Sequence, residues 1–201
     1  TLPNAISGNY YIFVTTDADS QVNEYKFDNN NNTKSIGSVA ITRKPDPDLL
    51  VSNLTYASTG QPGQKVLVNW TVNNTGVGVA KGNWIDRVYL IDASGTIDIP
   101  LQTKAAPTNL LGLGGSYTNS VEITLPTNLA DGNYQIAVVT NADNSVFEGD
   151  GAGNNKYTIG QITSGHPDLA VTVDSSPLSA TSGTTIPLSW TVQNVGTAAT
   201  L

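Results

Sequence analysis

Val66, Val68, Trp70 and Val72 alternate with Leu67, Asn69, Thr71 and Asn73. A two-residue period with one mostly apolar side predicts a half-buried strand, because successive side chains leave a pleated backbone on opposite faces. The rhythm returns at Ile186, Leu188, Trp190 and Val192, so both tryptophans are expected to point into a core. Further strands are expected at Leu49–Leu54, Ile85–Ile91, Ser116–Leu125, Gly132–Thr140 and Tyr157–Ile162, with one or two more between Ile97 and Ala105. Clusters of Gly, Asn, Pro and Asp separate them. About seven short strands in roughly 120 residues predict an all-β fold, two packed antiparallel sheets in an immunoglobulin- or fibronectin-like β-sandwich.

The patterns repeat. Thr1-Leu2-Pro3, Gly8-Asn9-Tyr10, Asp19 and Glu24 return as Thr124-Leu125-Pro126, Gly132-Asn133-Tyr134, Asp143 and Glu148, an offset of 123 to 124. Pro47-Asp48-Leu49 returns as Pro167-Asp168-Leu169, and Asn69-Trp70-Thr71-Val72 returns as Ser189-Trp190-Thr191-Val192, an offset of 120. Asn74 and Gly76 follow the same offset to Asn194 and Gly196. Two independent blocks with nearly one period predict a tandem repeat of about 120 residues. Residues 1–45 then form the tail of one copy, 46–165 a complete copy and 166–201 the head of a third. The intervening Arg43-Lys44-Pro45-Asp46-Pro47 and Ser164-Gly165-His166-Pro167 are polar and carry proline, as linkers between domains do.

Composition narrows the classes of function. The formal charge of −7 argues against nucleic acid as a partner, since phosphate binding needs clustered Lys and Arg. The chain has no Cys, which removes disulfides, thiolate catalysis and cysteine-type zinc sites. The core must therefore rest on side-chain packing. No apolar run is long enough to read as a membrane span. The single histidine, His166, lies in a linker, and without a converging base no nucleophilic triad can be assembled. No catalytic residue is assigned.

The Pro-Asp-Leu start, Trp70-Thr71-Val72-x-Asn74-x-Gly76, Trp84-x-Asp86-x-Val88-Tyr89-Leu90, Leu113-x-Gly115-x-Tyr117 and Gly132-x-Tyr134-x-Ile136 together resemble CARDB, the cell adhesion related domain found in bacteria. The resemblance runs through both partial copies. It implies a sandwich repeated in tandem in large exported proteins, with no catalytic residue attached to the family. The expected function is a structural or adhesive spacer, secreted or at the cell surface. Its partners would be neighbouring repeats of the same chain, with surface polysaccharide or protein as external ones. The alternative is a carbohydrate- or ligand-binding accessory module of an exported hydrolase, with Trp84 and Tyr89 as a stacking platform.

One segment carries candidate chemistry. Asn141, Asp143 and Glu148, followed by Asn155, gather oxygen donors where the penultimate strand ends, and Asp17, Asp19 and Glu24 recur in the preceding copy. Calcium is the cofactor such a loop would take, although none is required by the fold. The spacing is not that of an EF-hand, for Val146 stands at the glycine position and Ala152 at the bidentate acid. The other reading is that Asn and Asp form Asx-turns while Glu148 caps backbone amides. Both stay open at this point. Asp86 and Asp92 could pair as glycosidase carboxylates, or stand as surface and turn acids.

Overall fold

The structure is a computed structural model that describes residues 1–27, 30–92, 94–95 and 98–200. Its contacts divide the chain into two units, Thr1–Asp46 and Pro47–Leu201. The first carries β1 (Gly8–Tyr10), β2 (Phe13–Thr15), β3 (Asn32–Lys34) and β4 (Val39–Ile41), with β1 antiparallel to β4 and β2 to β3.

The second unit contains β5 (Leu49–Thr55), β6 (Thr59–Gly60), β7 (Lys65–Asn74), β8 (Ala80–Lys81), β9 (Ile85–Asp92) and β10 (Asp98–Ala105). There follow β11 (Leu110–Leu111), β12 (Ser116–Thr124), β13 (Gly132–Val139), β14 (Lys156–Thr158) and β15 (Ile162–Ser164). One sheet has the order β12-β7-β5 and the other β10-β9-β13-β15-β6, with β14 also on β13. All pairs are antiparallel except β15 with β6. The short β8 and β11 pair with each other as a separate ladder. The fold is the predicted all-β sandwich. Ile97, where the expectation for β10 began, lies outside the described residues.

The core follows from the alternation. Val66, Val68, Trp70 and Val72 from β7 meet Val88 and Leu90 from β9 and Ile136 and Val138 from β13, each 3% exposed or less. Tyr134 packs against this cluster half-buried, its hydroxyl donating to the Ala130 carbonyl at 3.2 Å. In β5 a strict two-residue period would send Asn53 inward and Leu54 out. A bulge between Ser52 and Thr55 corrects this. Asn53 takes φ 50°, a left-handed conformation that asparagine tolerates, and Leu54 is turned into the core.

Tyr157–Ile162, expected as one strand, is two. Thr158 faces Ala137 and Ile162 faces Tyr134, so this side carries one residue more than β13. Gly160 at φ 60° absorbs the excess and breaks the ladder.

Beyond His166, β16 (Leu169–Ser175) and β17 (Ser189–Asn194) form an antiparallel hairpin. Here the sequence expectation of a buried face is not met. Trp190 and Val192 are 58% and 54% exposed, because among the described residues no second sheet lies over them. Ile186 and Leu188 precede the strand and are exposed as well.

The same hydrogen bonds recur along the chain at the sequence offsets. Thr140 N–H donates to the Asn155 carbonyl at 3.1 Å, and Thr16 N–H to the Asn31 carbonyl at 2.9 Å, 124 residues earlier. Val146 N–H donates to Asn141 Oδ1 as Val22 N–H does to Asp17 Oδ1. The left-handed residues match too, Asn141 with Asp17 and Asn144 with Ser20. At the offset of 120, Asp48 N–H donates to Asn74 Oδ1 at 3.1 Å, and Asp168 N–H to Asn194 Oδ1 at 2.9 Å. The Asn74 amide donates on to the Gly78 carbonyl, and the Asn194 amide to that of Ala198.

Candidate functional site

Two buried carboxylates organise the sandwich, and the first, Asp86, is not the surface or turn acid that its residue type suggests. Asp86 is 0% exposed. It shares the inward side of β9 with Val88 and Leu90, so the pleat carries its carboxyl between the sheets. Trp70 Nε1 donates to it at 2.8 Å, the Tyr117 hydroxyl at 2.8 Å and the Asn119 amide at 3.1 Å. Trp84 Nε1 donates in turn to the Tyr117 oxygen at 3.0 Å. Burial raises the Asp86 pKa despite these donors. Burial and the nearby Asp86 charge push the Tyr117 phenol strongly upward. The group thus joins both sheets, Trp70, Tyr117 and Asn119 coming from one and Asp86 from the other.

The second carboxylate is in the candidate loop. β13 ends at Val139, and the turn over Asn141–Asn144 closes with Asn144 N–H on the Asn141 carbonyl at 2.9 Å. The Asn141 side chain braces the loop by accepting from Val146 N–H and donating to the Val146 carbonyl. Glu148 is 3% exposed. Its Oε1 accepts from the Asn141 amide at 2.6 Å and the Asn155 amide at 2.7 Å, and its Oε2 from Leu49 N–H at 2.6 Å. Glu148 therefore ties the loop after β13 to the first residue of β5.

Of the residues read as a cation site, the structure brings together Asn141, Glu148 and Asn155 through N–H donors. Asp143 stands apart, accepting from the Ser145 hydroxyl and, at 3.5 Å, from Ile85 N–H. In the first unit Asp17 accepts from Gln21 and Val22 N–H, whereas Asp19 is exposed and Glu24 half-buried. Among the described residues no three acidic or histidine side chains converge. Two buried oxygens near the Glu148 network, Asp48 Oδ1 and Asn155 Oδ1, have no hydrogen-bond partner.

The stacking platform does not form on Trp84, which is 1% exposed. A cleft of about 370 Å³ is lined by Asn53, Asn69, Thr71, Asn119 and Ser120 of the three-stranded sheet and by Lys104 of β10 in the other. Trp70 is its one aromatic lining residue, and that ring is buried against Asp86.

The CARDB family model matches residues 46–159, more than half of the chain. The chain belongs to the CARDB family. No curated protein matches it. Among solved structures it is similar to a CARDB domain from Pyrococcus furiosus, described in complex with di-metal ions, at 18% identity and TM-score 0.45. That match covers 62% of this chain and 94% of the other. A domain of a Methanosarcina acetivorans protein, provisionally named a cell surface protein, is 23% identical with TM-score 0.40, covering 59% and 92%. A β-glucosidase from Listeria innocua is 16% identical with TM-score 0.38, covering 60% of this chain and 16% of that one.

Within this CARDB sandwich Glu148 behaves as a cap, and that can be tested. Glu148→Ala removes the acceptor of the Leu49 N–H and the Asn155 amide and one of the two acceptors of the Asn141 amide, which keeps the Val146 carbonyl, and is expected to cost about 3 kcal/mol in urea unfolding. With N–H donors already in place, millimolar calcium or a chelator should leave the melting temperature unchanged. A rise with calcium would instead show that a cation binds the folded chain, by the linkage of binding to folding.

Proposed function

We propose that this chain is a passive structural or adhesive spacer, built of CARDB sandwiches in tandem in a secreted or cell-surface protein. The supporting observation is the recurrence of the same turn and strand hydrogen bonds 124 and 120 residues apart, on either side of one complete sandwich. The two buried carboxylates also fit a supporting role, since their oxygens accept from several donors of the fold itself. Specific recognition, on this reading, belongs to loops or to other modules of the parent protein. Neighbouring repeats are the standing partners. External partners would be surface polysaccharide or protein.

The passive reading is tested by incubating the chain with chromogenic glycosides, peptides and esters. The expected result is turnover no faster than in buffer. A rate above buffer that follows the concentration of the folded chain would contradict it.

A further inference from the structure

At the boundary after the complete sandwich, three side chains meet that the function proposed above leaves unused. Asp131 lies in the loop that enters β13, His166 in the linker after β15 and Thr197 in the turn after β17. One Asp131 oxygen takes His166 Nδ1 and the other takes the Thr197 hydroxyl. A carboxylate against Nδ1 fixes the ring proton there. The Thr197 oxygen, besides donating to Asp131, accepts from His166 N–H at 3.1 Å. Both roles of one hydroxyl are thus used. Thr197 and Ala198 N–H both donate to the His166 carbonyl, at 2.9 and 3.1 Å. A second loop of the sandwich adds Gln61 Nε2, which donates to the Ala199 carbonyl at 2.7 Å. The approach is close enough that a Cβ on Gly165 would lie 2.8 Å from Thr197 Oγ1, so a side chain there would have to displace the Thr197 hydroxyl.

We infer that Asp131, His166 and Thr197 form a clip that docks the following repeat onto the end of the complete sandwich and fixes its orientation. The inference rests on the reading of residues 166–201 as the head of a next repeat. A flexible tether would need none of these contacts. Here the linker is bound on both sides: its backbone is held by the turn after β17 and its imidazole by the preceding sandwich. The Thr197 hydroxyl and His166 also hold the Asp131 carboxyl below its usual range, the direction expected of an acceptor supplied with donors.

The test is amide ¹⁵N relaxation on the whole 201-residue chain. Thr197 and Ala198 are expected to show heteronuclear NOE values equal to those of β7 and β9. Asp131→Ala should lower them toward coil values from His166 to Ala199 while leaving β7 and β9 unchanged. Thr197→Val, close in shape but without the hydroxyl, should do the same to a smaller extent. Coil values in the native chain, or native values in both variants, would overturn the clip. Neither result bears on the passive-spacer reading, which the turnover assay and scattering on arrays address separately.

Discussion

Trp70→Ala is expected to lower the stability of the chain by about 3–5 kcal/mol, the usual cost of emptying a large aromatic site in a core. Trp70 is 1% exposed at the centre of β7, facing Asn119 across the pair with β12. Its loss opens a cavity and also removes an indole N–H from Asp86. Trp190→Ala, at the equivalent position 120 residues on, should cost under about 1 kcal/mol, since that ring is 58% exposed. Urea unfolding of the two variants checks the contrast. Equal costs would mean that Trp70 is not the buried member of the pair.

Asp86→Ala is the second large effect, expected at about 3–5 kcal/mol, because removing one partner of a buried polar cluster strands the others. Trp70 Nε1 and the Asn119 amide lose an acceptor, although Asn119 keeps the Ala105 carbonyl and Tyr117 has the Thr140 hydroxyl at 3.4 Å. Asp86→Asn should cost less and should reveal the protonation of the native group. Burial raises Asp86 above its ordinary value of 3.8, so on acidification the folded chain takes up this proton before the unfolded chain does. The native protein should therefore gain stability relative to Asp86→Asn as pH falls through the folded pKa toward 3.8, and lose that gain as pH rises. The slope cannot exceed about 1.4 kcal/mol per pH unit for one proton. A difference that moved the other way would contradict the raised pKa.

The sheets were legible in the sequence because period-two alternation is written directly in residue type, as β7 illustrates. The role of Asp86 was equally written there. It has the same parity as Trp84, Val88 and Leu90, and parity on a strand states the face. Its chemical type suggests a surface or turn acid, and the parity of its position overrules that. Glu148 was found as a cap or ligand from its loop, but its partner Leu49 lies 99 residues away, a contact that only the closed sandwich creates. The two strands of Tyr157–Ile162 were missed because a bulge depends on the register of the partner strand. Gly160 was the local sign of it. The Asp131–His166–Thr197 contact joins three segments remote in sequence, and a lone histidine gave no reason to look for it. The exposure of Trp190 follows from which strands lie over it, which the alternation of its own strand does not contain.

A spacer gains length with each repeat it adds. Arrays of one, two and three copies of residues 46–165, joined head to tail, can be compared by small-angle scattering. Short proline-bearing linkers keep successive sandwiches from folding back on one another. The maximum dimension is therefore expected to grow by a similar step with each copy, and the three-copy radius of gyration to stand well above the value of about 21 Å for a compact globule of that length. A three-copy radius near the compact value, with little growth in maximum dimension, would contradict the spacer.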